Sequence, residues 1–287
     1  MTNVQGPTVG RRRLRTALRR ARETADLTQE YVASAMDWSL SKLIRIESGA
    51  VGISTNDVRA LLQLYRVTDA TLIDELVALA RVARRRTWWS SYRDAVPPPY
   101  ASYIGLEAEA AELCYFHPIA VPGLLQTEAY AKAIVPVDGP DQVEPDEIAT
   151  RVAIRLTRQR EVLGRDNPPE IRAVLDEAVL RRVTGSRQIM REQLLHLAEL
   201  GTAPNITIQV LPFTAGNNTV NGPFVILRYA DPTDSDVVYL ESALINDVVD
   251  RSESIGPYQY AFKSLCQDSL DSADSAALIA QVADELA

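Results

Sequence analysis

The sequence is poor in the residues on which most enzyme sites and metal sites depend. Of 287 residues, two are cysteine and two are histidine. Cys114 and Cys266 lie far apart without metal-ligand spacing. His117 and His196 form neither a His–Cys nor an H-E-x-x-H arrangement, so the common zinc sites are excluded. There is no G-x-S-x-G, no phosphate loop and no dinucleotide fingerprint. The expectation is therefore a protein that is not an enzyme and has no metal or cofactor. Asp176, Glu177 and Glu241 stand at the ends of strand-like runs, where carboxylates can do acid–base work but more often cap helices or face solvent. His117, ahead of Pro118 in an apolar stretch, reads as a packed core residue. No apolar run reaches the ~18 residues of a membrane span. The N-terminal arginine cluster lacks the apolar segment of a secretory signal. Cytoplasmic residence, without membrane attachment and with two reduced thiols, is expected. No internal repeat and no heptad pattern is present, so no dimer surface is marked.

What the chain does have is a lopsided charge. The net charge is -8, yet residues 1–93 carry 16 basic and 9 acidic residues, a net +7, and the remainder carries 14 and 29, a net -15. A basic head on an acidic body can approach a polyanion through the head alone.

The pattern along the chain divides it accordingly. Residues 1–10 read as a disordered arm, and 11–86 as helical almost throughout. Leu14, Leu18 and Ala21 recur at helix spacing, as do Val58, Leu61, Leu62 and Tyr65, then Leu72, Leu76, Leu79 and Val82, a run ending in Arg84–Arg86. Residues 87–103 form an aromatic and proline-rich connector. Its three prolines, Pro97–Pro99, cannot continue a helix. Its aromatics (Trp88, Trp89, Tyr92, Tyr100 and Tyr103) suggest docking of one domain on the other. Residues 104–287 mix the two periodicities. ELCYFHPIAVPG reads as a short strand and a proline-bounded turn, EIRAVLDE as a strand followed by a helical turn, and NITIQVLPF, PFVILRYA and DVVYLES as three further strands. Helices are expected from Thr127, over 145–163 with Ile148, Val152, Leu156 and Val162 on one stripe, over 187–200 with Gly201 as a cap, and near 257–268 and 273–286. LPFTAGNNTVNGPF is either a plain hairpin connection or a binding loop. The fold class is an all-α N-terminal domain of about five helices followed by a larger α+β domain.

One stretch carries the most information: LTQEYVASAMDWSLSKLIRIESG, residues 27–49. Thr28 and Ser39 are placed to cap two short helices, and Gly49 to stop the second. Val32, Ala33, Met36, Leu43 and Ile46 point inward. Leu40, Ser41, Ile44, Arg45 and Ser48 are left on the outer face of the second helix. A helix presented in this way can enter a major groove.

This stretch resembles the helix-turn-helix of the Xre/Cro class, with its LTQ…A…S…I..IE.G pattern, over roughly residues 12–67. Asp37 stands where that family usually has glycine, and Trp38 replaces a smaller apolar residue. The resemblance makes residues 39–48 the recognition helix, with double-stranded DNA as partner. It implies a phosphate contact for Gln29 and a DNA-facing set beginning at the capping Ser39. Arg45 is the candidate for a bidentate guanine contact, Ser41 for a base edge, and Leu40 and Ile44 for thymine methyls. Lys42 is assigned to phosphate. Glu47 is expected to pair with Arg22 on the first helix. Arg11–Arg13 are expected either to follow the DNA or to be simply solvated.

The body also resembles a known group. AVPGLLQTEAYAKAI, MREQLLHL, NITIQVLPFTAG, GPFVILRY and VVYLES, over about residues 95–283, look like an uncharacterised domain found behind this helix-turn-helix in actinomycete regulators. That domain is often described as antitoxin-like, and its members are commonly encoded beside a small partner protein. The resemblance implies a homodimeric transcriptional regulator whose body dimerises and responds to a partner protein or a small-molecule effector. The alternative is an antitoxin-like interaction protein that mainly binds a small partner, with DNA binding secondary.

Overall fold

A computed structural model of the chain describes residues 6–85, 87–92, 96–135, 145–215, 222–241 and 246–287. Two compact units emerge, residues 1–91 and 92–287.

The first unit is all helical: α1 (Pro7–Thr24), α2 (Gln29–Ala35), α3 (Leu40–Glu47), α4 (Thr55–Leu64) and α5 (Ala70–Val82). Its core gathers the periodic residues Leu14, Leu18, Val32, Leu43, Val58, Leu61, Leu62 and Leu76, each 2% exposed or less. Burial of each such side chain stabilises the unit by roughly 1.5–3 kcal/mol. The hydroxyls of Thr28, Ser39 and Ser54 accept from backbone N–H groups three residues on, and so cap α2, α3 and α4. Two expectations are corrected at the ends of this unit. The helical chain begins at Pro7, inside the stretch read as an arm, because proline at the first helical position loses no hydrogen bond. Val9 and Gly10 are buried there, Gly10 against Leu79 and Val82. Residues 1–5 of that arm lie outside the described residues. At the other end, α5 stops at Val82, Arg84 and Arg85 follow it in a turn, and Arg86 lies outside the described residues. Leu72, expected on the apolar stripe, is exposed.

The second unit is a six-stranded sheet between helices. Its elements are α6 (Pro98–Glu107), β1 (Glu112–His117), α7 (Glu128–Ile134), α8 (Pro145–Leu163), β2 (Glu170–Asp176), α9 (Glu177–Arg181), α10 (Arg187–Leu200), β3 (Ile206–Leu211), β4 (Phe224–Arg228), β5 (Val237–Glu241), β6 (Asn246–Val249), α11 (Ser252–Asp268) and α12 (Ser272–Glu285). The strand order is β3-β2-β1-β4-β5-β6. β1, β2 and β3 are parallel, and β4, β5 and β6 add on antiparallel. One face carries Leu113, Tyr115, Ala173, Leu175, Ile208 and Val225 against α6, α8, α10 and α12. The other carries Cys114, Phe116, Val174, Phe224 and Ile226 against Ile255, Phe262 and Leu265 of α11. Burial on both faces is why these strands read as continuous apolar runs.

Here too the structure departs from the sequence reading. Pro98 opens α6 instead of merely ending what precedes it, since its missing N–H belongs to a group that a helix start leaves unpaired anyway. Tyr100 and Tyr103, assigned to the connector, are part of this unit's own interior. Tyr103 stacks on Tyr239 with ring centroids 4.0 Å apart, and Tyr100 packs on the same core. Trp88 and Trp89 meet edge to face at 5.5 Å within a short 3-10 turn. Gly201 follows α10 with right-handed backbone, φ -65°, and not as a left-handed cap. β6 and the first turn of α11 were not anticipated. Of the Gly- and Asn-rich loop, residues 216–221 lie outside the described residues. Among the described residues, no helix is long and apolar enough to cross a membrane.

Candidate nucleic-acid interface

The turn between α2 and α3 is built from backbone hydrogen bonds. Asp37 N–H donates to Ser34 O at 3.1 Å and Trp38 N–H to Ala33 O at 2.8 Å. This double closure requires a left-handed residue at position 37, and Asp37 adopts φ 54°. Aspartate tolerates that region better than most residues, so it replaces glycine here at modest cost. Gly49 ends α3 at φ 79°, and a Cβ there would come within 3.0 Å of Arg15 Nη1, which donates to Ser48 O at 2.8 Å.

The orientation of α3 is fixed by Glu47. Arg22 of α1 donates to it twice, from Nε at 2.7 Å and from Nη2 at 3.1 Å. Gln29 of α2 donates its Nε2 to the same carboxylate at 2.7 Å, and Arg22 Nη1 reaches Leu27 O at 2.8 Å. The carboxylate is 6% exposed and the guanidinium 11%. One charge-assisted cluster therefore ties the first three helices together. Gln29, read as a phosphate contact, has its amide turned onto Glu47. The polarity of its neighbour explains this: a nearly buried carboxylate needs donors on both oxygens.

The outer face of α3 exposes Leu40 (37%), Ser41, Lys42, Ile44 (44%) and Arg45. Ser39 Oγ is engaged as the cap. The side chain of Arg45 makes no hydrogen bond or ion pair among the described residues. Lys42 does not extend freely: its ammonium lies 3.7 Å from the centroid of the Trp38 ring. Trp38 thus packs under Lys42. Lys42→Ala is expected to weaken DNA binding evenly across sequences and to lower the slope of log K against log salt by about one, measured by anisotropy at several salt concentrations. Arg11 and Arg13 hold α1 to α5, Arg11 on Ala83 O just past its end at 3.0 Å and Arg13 on Glu75 in its middle at 2.6 Å.

In the second unit the sequence candidates are mostly spent on structure. Asp176 accepts from Ala178 N–H as the cap of α9. Glu177 accepts from Phe213 N–H at 2.9 Å and from Arg181 at 2.7 Å, and its carboxyl is held below the usual range against the cost of burial. Glu241 ends β5 opposite Asn246. Cys114 is fully buried, its thiol pushed up to about 12 mainly by burial, while Cys266 is half-buried; both are free. His196 is partly buried on α10, which lowers its pKa. His117 is 9% exposed, and burial, reinforced by the charge of Arg155, depresses its pKa to about 4. Its unfolded pKa is about 6.5, so the unfolded chain binds the proton first. Stability from this group is present at neutral pH and is lost as pH falls from 6.5 toward 4. His117→Gln is expected to flatten that part of the stability–pH curve, measured by urea unfolding across the window.

A polar centre that the sequence did not reveal lies beneath these residues. Glu107 is 0% exposed and Arg158 4%. Arg158 donates to Glu107 from Nε at 2.8 Å and from Nη2 at 2.7 Å, and from Nη1 to the Tyr100 hydroxyl. Tyr103 and Tyr115 donate to the same carboxylate at 2.5 and 3.0 Å. The one available signal was Arg158 itself, which falls on the buried stripe Ile154–Arg158–Val162 of α8.

Residues 13–76 match the model of a helix-turn-helix domain, and residues 100–281 match that of a domain of unknown function, DUF5753. No curated protein and no solved structure matches the chain. A helix-turn-helix domain points to a DNA-binding regulator, in keeping with the exposed face of α3. The second match spans more than half of the sequence, and the chain therefore belongs to the DUF5753 family, with a helix-turn-helix domain preceding the domain that defines it.

Proposed function

We propose that this protein is a sequence-specific transcriptional regulator of the Xre/Cro type, acting as a homodimer on a two-fold symmetric DNA site. The observation that carries this reading is the outer face of α3, where Leu40, Ser41, Ile44 and Arg45 are exposed on a helix clamped by Glu47, Arg22 and Gln29. Exposed apolar side chains beside an arginine that has no hydrogen bond or ion pair among the described residues suit a groove that offers thymine methyls and guanine acceptors. Two such helices about 34 Å apart would read successive turns of the duplex. The acidic second domain supplies dimerisation and the response to a small molecule or partner protein. It has no catalytic role, and the protein works in the cytoplasm.

The test is salt-dependent binding to duplex DNA by the full chain and by residues 95–287 alone. The full chain is expected to bind with affinity that falls steeply as salt rises. The fragment is expected to give no shift. A salt-sensitive shift from the fragment would move the interface away from α3.

A further inference from the structure

The topology of the sheet leaves a distinctive position at one end of β1. The crossovers from β1 to β2 and from β2 to β3 step in one direction, and β4 then returns on the opposite side of β1. The order reverses at β1, and open sheets with parallel strands hold ligands outside the carboxyl end of such a strand. β1 ends at His117, whose ring makes no hydrogen bond among the described residues although it is nine-tenths buried.

Arg155 of α8 is held against the segment that follows β1, and its charge is felt at His117. Its Nη1 donates to Gln126 Oε1 at 3.1 Å, and its Nε is sealed from solvent without an acceptor. No carboxylate lies within ion-pair distance of it among the described residues. Other arginines of this unit are satisfied differently: Arg158 has Glu107, Arg181 has Glu177, Arg228 has Glu112 and Arg165 has backbone carbonyls, while Arg191 shares with Arg155 a buried Nε without an acceptor. A half-buried guanidinium without an anion is costly to maintain. Yet this one is carefully braced. Gln126, 5% exposed, is fixed through its Nε2 to Val121 O at 2.7 Å. Gln159 Nε2 bridges Gly123 O and Gln126 O at 2.8 Å each. Gly123 lies against both guanidinium groups, its Cα placing a Cβ 3.5 Å from Arg158 Nη1 and 3.6 Å from Arg155 Nε. Glu241 stands at the carboxyl end of β5 and so at the same end of the sheet, and it forms no ion pair with Arg155.

We propose that the carboxyl end of β1 is a small-molecule site in which Arg155 and His117 receive the carboxylate of an organic acid. Arg155 supplies a planar fork matched to a carboxylate. His117 is neutral at pH 7, so it offers one donor and one acceptor and adds no charge. One cation beside a neutral imidazole matches a single negative charge better than a phosphate dianion. The site gives a location and a ligand class to the small-molecule response proposed above, and in that respect it rests on that reading.

The test is saturation-transfer NMR on the full chain at pH 7, with benzoate and acetate as probes and inorganic phosphate as a comparison. The variants are Arg155→Gln, Arg155→Lys and, as control, Arg151→Gln, which removes the same charge one turn away, where the guanidinium is paired with Glu147. Thermal unfolding checks that each variant is folded. The expected result is saturable transfer to a carboxylate probe, weakened at least tenfold in Arg155→Gln, weakened less in Arg155→Lys and unchanged in Arg151→Gln. No saturable transfer to either carboxylate, equal titrations in Arg155→Gln and Arg151→Gln, or binding of phosphate alone would each overturn the proposal. The titration contains no DNA, so its outcome is independent of whether α3 binds a duplex.

Discussion

Glu107→Ala is expected to destabilise the second domain by about 4 kcal/mol, the largest effect of any single substitution considered. The carboxylate is fully buried and accepts from both sides of the Arg158 fork and from two tyrosine hydroxyls. Truncation leaves a buried guanidinium with only Tyr100 as a partner and strands the hydroxyls of Tyr103 and Tyr115. Each of those groups then bears its own desolvation cost. The ion pair as a whole is a weaker source of stability than this number suggests, because taking both charges out of water is itself unfavourable. The double variant Glu107→Leu with Arg158→Met should therefore recover much of the loss. Denaturant unfolding of the four members of the cycle measures both statements. A loss under 1 kcal/mol for Glu107→Ala would mean that water reaches the pair.

The second large effect concerns DNA. Arg45→Ala is expected to weaken binding to the preferred site by roughly 1–3 kcal/mol, about 5- to 150-fold, and to leave unfolding nearly unchanged. The side chain is exposed and makes no hydrogen bond or ion pair among the described residues, so little of the fold depends on it. Non-specific binding should fall far less, by the contribution of one charge. That difference separates a base contact from a phosphate contact. Substitution of Glu47 would not make this distinction, because it releases α3 from Arg22 and Gln29 and disturbs every contact together.

The helix-turn-helix was legible in the sequence because its determinants are local. Thr28, Ser39, Asp37 and Gly49 each act within a few residues of themselves, and the inward positions follow helix spacing. Even there, the bond from Gln29 to Glu47 was not legible, since Glu47 lies 18 residues on and only the folded chain brings the two together. The second domain was legible as strands and helices, because burial on two faces leaves continuous apolar runs. Its polar centre was not. Glu107 and Arg158 are 51 residues apart, and nothing in either neighbourhood announces the other. α6 was hidden by its own start: a run of prolines excludes a helix before it but not one that begins within it.

The central claim is that the exposed face of α3 reads a DNA sequence, and selection from random duplexes tests it most directly. The full chain and Arg45→Ala would each be carried through several rounds at fixed salt, and the enriched sequences compared. The account predicts that the parent protein enriches a two-fold symmetric motif with half-sites about 10 base pairs apart and a guanine in each half, and that Arg45→Ala loses its preference at that guanine alone. Failure of the parent to enrich any motif, or enrichment of the same motif with the same guanine preference by both proteins, would contradict it.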